Sequence, residues 1–532
     1  MPDHPKFTGF PGNVGIMLLS FLLAAAGCAK LGPDFSTPPA DVSETWSEAA
    51  DQRVSSDFQE HRDWWRAFND PALNKLVETA YRENLALRLA GVRVLEARAQ
   101  LGIATGQLYP QVQQAFGSAE KIRLSQRGSQ AAPGRESSFW QSELGVAASW
   151  ELDFWGRFRR AIEAADANFF ASVADYDNTL VSLTGDVANF YVLIRTLEKR
   201  LEIARQNVEI QKESLEIAQA RFEGGVTSQR DVEQAKTVLA GTLATIPTLE
   251  TQLRQAKNGL SILLGKTPQN LAEFLGGAGD IPAPPPQVAV GIPADLLRRR
   301  PDIRLAEWQA AAQCAQIGVA KADLYPAFSL TGAFGFQAAD LGRFSLDDMF
   351  QWRSRTGNIG PSFTWNILNY GRLTNLVRVQ DARFQELIIA YQNTVLRAQQ
   401  EVEDFLIAFL KSQERAARLA ESTAAAKRSL DLAVVQYREG ITDFTTVLTA
   451  QQSLLTEQDN LAVTLGDISQ NLVGVYRALG GGWQLREGQD FVPEATKAEM
   501  AKRTYWGKLL TPAAAALPTP AERKTLVRPP DW

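Results

Sequence analysis

Few side chains in this sequence could do chemistry. Its 532 residues hold two histidines, His4 and His61, and two cysteines, Cys28 and Cys314. With His4 in an apolar leader, neither a His-based metal cluster nor a Ser-His-Asp triad has its raw material. The sequence therefore predicts no enzyme, no metal and no cofactor beyond a covalent lipid. That lipid rests on Cys28, which follows the run Ile16 to Gly27. The run is too short to span a bilayer and suits the core of an export signal closed by small residues. A cysteine directly after Ala25-Ala26-Gly27 looks like a bacterial lipoprotein cleavage site, with residues 1–27 removed and diacylglycerol and an N-acyl chain carried on Cys28. Ala25 departs from that pattern, which usually has Leu there. Cys314, within the Ala-rich 310–315, reads as a small buried apolar residue.

Carboxylates are the remaining candidates. The composition is 45% hydrophobic and 22% charged with a formal net charge of -5. No basic stripe with interleaved aromatics appears, so nucleic acid is excluded as a partner. Most acidic residues lie on helical stretches, where paired charges are ordinarily a solvated face. Asp231 and Asp443 differ in lying just after two glycine turns, at Gly225 and Gly440. Asp443 is also placed to cap a helix.

The elements holding those turns are two rods. Between Gly371 and Gly440 no internal Pro or Gly occurs, and an unbroken helix of that length reaches roughly 100 Å. Phe384, Ile388, Tyr391, Val395, Ala398, Val402, Phe405 and Phe409 recur at spacings of four and three, the seam of a supercoiled helix pair. Arg157 to Phe222 is a second copy. Phe222-Glu223-Gly224-Gly225-Val226-Thr227 matches Tyr437-Arg438-Glu439-Gly440-Ile441-Thr442, and Trp155-Gly156-Arg157 matches Tyr370-Gly371-Arg372. Leu108-Tyr109-Pro110 matches Leu324-Tyr325-Pro326 at nearly the same offset. The chain is an internal duplication. The blocks are 28–70 (extended N-terminal segment), 71–280 (first repeat), 281–293 (Pro-rich linker), 294–482 (second repeat) and 483–532 (a polar tail with no core role). A single helix is expected from Pro71 to Thr105, capped by Asp70, with returning helices at Asp231–Leu264 and Thr446–Leu479.

Ahead of each rod lie two strand-like runs. Trp140, Leu144, Val146, Ala148 and Trp150 alternate with polar or small residues. So do Phe328 to Phe336, and Ile359, Phe363, Trp365 and Ile367. About ten residues of apolar-out, polar-in alternation fit a membrane-spanning strand, with Trp140, Trp150, Trp155, Trp365 and Tyr370 as an aromatic belt. A soluble sandwich shows the same alternation; the aromatic ends favour the membrane. Four strands per chain cannot close, because closed membrane barrels need about eight and lipid leaves bare edges unsatisfied. Copies must pool strands: two give a filled lumen, three a channel.

These residues resemble the TolC-like outer-membrane factors, in particular the lipoprotein branch of tripartite (RND-type) efflux systems. The resemblance is carried by Cys28 with Gly32-Pro33-Asp34-Phe35, by Trp64-Trp65-Arg66-Ala67-Phe68-Asn69-Asp70-Pro71, by Arg299-Arg300-Pro301-Asp302-Ile303-Arg304, and by Leu324-Tyr325-Pro326. It implies a homotrimer with a 12-stranded outer-membrane β-barrel, continued by a periplasmic α-helical barrel whose tip docks a periplasmic adaptor serving an inner-membrane transporter. It also implies an acidic gate residue on the second returning helix, where this chain instead has Thr446 and Thr449. Asp231 or Asp443 would then supply the negative ring. The same duct serving protein secretion, or a coiled-coil scaffold without a pore, are the competing functions.

Overall fold

The computed structural model describes residues 29–57, 61–125, 127, 137–342 and 344–511. Asp70 accepts from Ala72 N at 2.9 Å and Leu73 N at 3.3 Å, and Pro71 occupies the first turn, so helix α1 (Pro71–Glu83) starts where the sequence places it. The expected single helix does not continue to Thr105. Asn84 turns extended (φ -64, ψ 126), accepts from Leu87 N at 2.8 Å and donates to the Leu263 carbonyl at 2.9 Å. One side chain thus caps a new helix, α2 (Leu85–Gly106), and ties it to a distant element. In the second repeat the matching break is made by Pro301 after the short helix Leu296–Arg299.

Strands β1 (Val112–Arg123) and β2 (Ser138–Leu152) follow, then helices α3 (Arg157–Glu223) and α4 (Gln229–Leu263). The second repeat gives α5 (Pro301–Ala322), β3 (Ala327–Ala339), β4 (Arg355–Thr364), α6 (Arg372–Arg438) and α7 (Phe444–Ala478). The copies match in length: 22 residues for α2 and α5, 67 for α3 and α6, 35 for α4 and α7. Lengths that agree to the residue, together with matched motifs, support duplication of one unit. Both rods leave the sheet through a left-handed glycine, Gly156 (φ 74) and Gly371 (φ 79), where a side chain would be strained.

The four strands form one antiparallel sheet in the order β1-β2-β3-β4, so the hairpin of one repeat pairs directly with that of the other. At the joint Gly145 faces Gly335, and a Cβ on Gly145 would lie 2.8 Å from the Phe334 oxygen. β4 ends at Thr364, so Trp365 and Ile367, which the alternation assigns to that strand, lie beyond it.

The largest core surrounds the upper part of α3 and draws on α1, α2, α5, α6 and α7. Two flanking segments complete it. Residues 35–47 lie along α6: Gln399 donates to the Asp41 carbonyl at 2.9 Å, Ser47 Oγ donates to Glu403 at 3.1 Å, and Phe35 meets Phe384 edge-on. The C-terminal tail has a core role, contrary to the sequence expectation. Gln484, Arg486, Phe491, Val492 and Met500 are buried, and helix α8 (Glu494–Arg503) carries Met500 inward. Gly91 exists for this contact, since a Cβ there would lie 2.1 Å from the Phe491 oxygen. The tail is anchored by Asp177, fully buried on α3, which accepts from Arg304 at 2.9 Å and also pairs with Arg486. Residues 512–532 lie outside the described residues.

Candidate functional site

The register divides the sheet into two chemically different faces. On one lie Trp140, Leu144, Val146 and Trp150, with Leu330, Phe334, Ile359 and Phe363 from neighbouring strands, and Ile359 is 83% exposed. Single exposed apolar residues are ordinary; a whole sheet face of them is not. On the other face lie Gln114, Ser118, Ser149, Thr331, Asn358 and Ser362, with Glu120, Glu143 and Glu151; its large apolar residues are Val112, Phe116, Ile122 and Phe139, all on β1 and β2. That face carries carboxylates and no lysine or arginine within the described strands, so a conduit lined by it is negative and favours cations.

The aromatic residues fall at both ends of the strands. Trp140 marks the loop end. Trp150, Trp155, Trp365 and Tyr370 cluster at the end where the rods begin, Tyr370 at 97% exposure. Their polar atoms follow the repeat: Trp150 Nε1 donates to the Leu108 carbonyl at 3.1 Å and Trp365 Nε1 to the Leu324 carbonyl at 3.0 Å. Trp155 Nε1 donates to the Pro326 carbonyl at 2.9 Å. An amphipathic ring with its N–H tied to an exposed backbone carbonyl suits a lipid-water boundary. Sequence reasoning missed Trp352 and Phe350, exposed at the loop end in a connection without strand periodicity.

About 100 Å from the sheet, the two hairpins turn side by side. Gly225 (φ 70) and Gly440 (φ 76) each close a helix, with Val226 N donating to the Arg221 carbonyl and Ile441 N to the Gln436 carbonyl, both at 2.9 Å. Arg221 was not foreseen. It spans the two tips, donating to the carbonyls of Tyr437 at 2.6 Å and Arg438 at 3.0 Å while its guanidinium stacks over the Tyr437 ring. Tyr437 and Phe444 pack beneath it with Val232 and Val447.

Asp231 and Asp443 both reach this tip but sit differently. Asp231 is nearly buried, bound to the hydroxyl of Thr227 and, at 3.4 Å, that of Ser228, with Arg230 at 3.7 Å. Asp443 caps α7, accepting from Thr446 N at 3.1 Å and Thr446 Oγ1 at 2.8 Å, and these bonds hold its carboxyl below the usual range. Asp443, Thr446 and Thr449 share one exposed face. Cys28 lies outside the described residues. The chain nearest to it is fixed, with Leu31 N donating to the Trp155 carbonyl at 3.1 Å. Cys314 is buried, as the Ala-rich run implies, and burial raises its thiol to about 11.

A duplicated protomer with an amphipathic antiparallel wall and paired long helices defines a membrane channel component. Comparison with known proteins gives its kind. The pattern of the family described as outer membrane efflux protein matches residues 76–266 and 292–481, covering both repeats, and the chain belongs to that family. It is 32% identical over 483 residues to the probable efflux pump outer membrane protein TtgC of Pseudomonas putida, covering 90% of this chain and 96% of that one. It is 32% identical over 423 residues to the pyoverdine export outer membrane protein OpmQ of the same species, covering 79% and 88%. The solved outer-membrane channel OprN superposes with a TM-score of 0.80 at 33% identity, covering 86% of this chain and all of that one. The protein is an outer-membrane efflux channel with a periplasmic helical extension.

Proposed function

We propose that three copies of this chain close a 12-stranded barrel and a helical tunnel, forming the passive exit duct of a tripartite efflux pump. The observation that carries this is the sheet: mainly apolar on one face, mainly polar or small on the other, with β1 and β4 unpaired along both edges. Lipid tolerates no bare edge, and four strands are too few to close, so the edges must meet those of other copies. Twelve strands leave a lumen, and the small inward residues Ala333, Gly335 and Gly360 suit one.

The Gly225 and Gly440 tips dock a periplasmic adaptor, which couples the duct to an inner-membrane transporter; the duct itself performs no chemistry. Relatives described as acting in pyoverdine export and toluene efflux support small molecules as cargo. Cys28 carries the lipid, supported by the attachment of Leu31 beside Trp155. With a barrel already buried, the lipid is accessory, and Cys28→Ser exported with a cleavable signal still fractionates with outer membrane. Asp443, exposed on the face shared with Thr446 and Thr449, and Asp231 behind it supply the negative charge at the constriction. Conductance of the purified protein in planar bilayers tests the assembly: discrete channels are expected, and their absence from a reconstituted, folded preparation defeats the proposal.

A further inference from the structure

Charge on the lipid-facing side of the sheet is confined to one place. Within the described strands that face carries Lys121 and Arg123 on β1 and Arg355 on β4, all exposed, all at the loop end, and no carboxylate. Just past β3, Asp340 follows on the same face, two strands from Lys121. β1 and β4 are opposite edges of the protomer's sheet, so Arg355 is far from the neighbouring pair Lys121 and Arg123 in one copy.

Closing the barrel brings them together, and the register says where. Within one copy, Arg355 lies in the row Gly117–Leu144–Phe336. Phe363 lies in the row of Leu152, three residues past Ser149, which is where β1 begins at Val112. Pairing β4 along its length with β1 of the next copy therefore requires a slide toward the loop end, as strand tilt in a barrel demands. Only an even slide keeps the apolar side chains outward. A slide of four residues sets Phe363 against Gln113 and moves Arg355 from the level of Gly117 to Lys121; a slide of six moves it to Arg123, the last residue of the strand. Either way Arg355 of one copy stands beside Lys121 and Arg123 of the next. Like charges paired directly across strands repel, and they face the membrane, a repulsion that an anion seated among them relieves.

We propose that each seam between copies holds the phosphate of an outer-leaflet glycolipid, gripped by Lys121 and Arg123 of one copy and Arg355 of its neighbour. Trp352, whose ring lies 4.6 Å from the Arg355 guanidinium carbon and whose carbonyl accepts from it at 2.7 Å, fixes that side chain at the headgroup level. The inference rests on the trimeric closure proposed above. It identifies the cations that bind this lipid at the junction between protomers rather than around the whole barrel.

Native mass spectrometry of the full chain in mild detergent tests it, with bis-phosphorylated lipid A and dephosphorylated lipid A as probes. The wild-type particle is expected to retain the phosphorylated lipid about ten-fold or more over the other. Lys121→Gln/Arg123→Gln/Arg355→Gln loses that preference, whereas Arg355→Lys keeps it. Millimolar inorganic phosphate leaves the lipid bound; displacement by it means an ion site without lipid recognition and overturns the proposal. Undiminished preference in the triple variant overturns it too. Should the triple variant fail to assemble, Arg355→Gln alone decides by the same criterion. The same spectra weigh the particle. A monomer refutes the trimer and the seam together, whereas a trimer without phosphate preference refutes the seam alone.

Discussion

The rods α3 and α6 have the same length, the same entry through a left-handed glycine and matched turns, yet they live in different surroundings. From Phe158 to Val208, α3 is buried around most of its circumference by α2, α4, α5 and α7. α6 shows a single buried stripe, Tyr391, Val395, Ala398, Val402, Leu406 and Phe409, and presents its other sides outward. One rod is the spine of the protomer and the other is an outer wall, open on most of its sides. Duplication therefore supplied shape twice, and the sequences diverged according to what each copy touches.

Substitution at positions that correspond between the rods exposes this division. The largest effect is expected at Asp177 on α3: Asp177→Asn removes the buried carboxylate that Arg304 and Arg486 share and should cost about 3–5 kcal/mol. Its counterpart on α6 is Gln392, whose side chain makes one neutral hydrogen bond, to the Pro39 carbonyl at 3.1 Å, and Ala there should cost only about 1 kcal/mol. Thermal melts of the two variants give the contrast, and equal shifts would erase it.

Acid acts next, on the collar where His61 packs against Tyr476. Burial, and then the Arg299 charge, push the His61 pKa down to about 4. As pH falls from about 6.5 toward 4 the unfolded chain takes up a proton that the folded chain refuses. The folded state therefore loses up to about 3 kcal/mol over that window, with no further loss from this group below it. His61→Leu should remove this component, read as the difference between wild-type and variant melting curves at pH 7 and 4.5.

At the tip, Arg221→Ala should cost about 1.5–3 kcal/mol of local stability, seen as faster amide exchange at 436–441. The corresponding Gln436→Ala should leave exchange unchanged. The smallest effect is on ion selection, where Asp231→Asn and Asp443→Asn are expected to lower the cation preference of the reconstituted channel modestly. A preference untouched in both variants removes the charged ring.

Much of this was legible in the chain. Gly-bounded stretches of about seventy residues read as rods, and alternation gave four strands with an inside and an outside. What escaped depended on single side chains meeting distant partners. Asn84 looks like any helical Asn until the Leu263 carbonyl stands beside it. Asp177 on a long helix reads as a solvated charge, and only the folded tail delivers Arg486 to it. That tail packs through Phe491, Val492 and Met500, too few and too widely spaced among polar residues to make a period. Asp231 and Asp443 could be brought to one end from the repeat alone, but the nearly buried state of one and the exposure of the other follow from turn hydrogen bonds that spacing does not encode.

Equal rod lengths also bear on how such a duct can evolve. One residue inserted in α6 alone would push its turn about 1.5 Å past the other and rotate every later side chain by about 100°. Arg221 would then miss the carbonyls of Tyr437 and Arg438. A lineage needing to bridge a wider gap between its two membranes must therefore lengthen both hairpins, on the outward and homeward legs alike, so its history of insertions should come in matched sets.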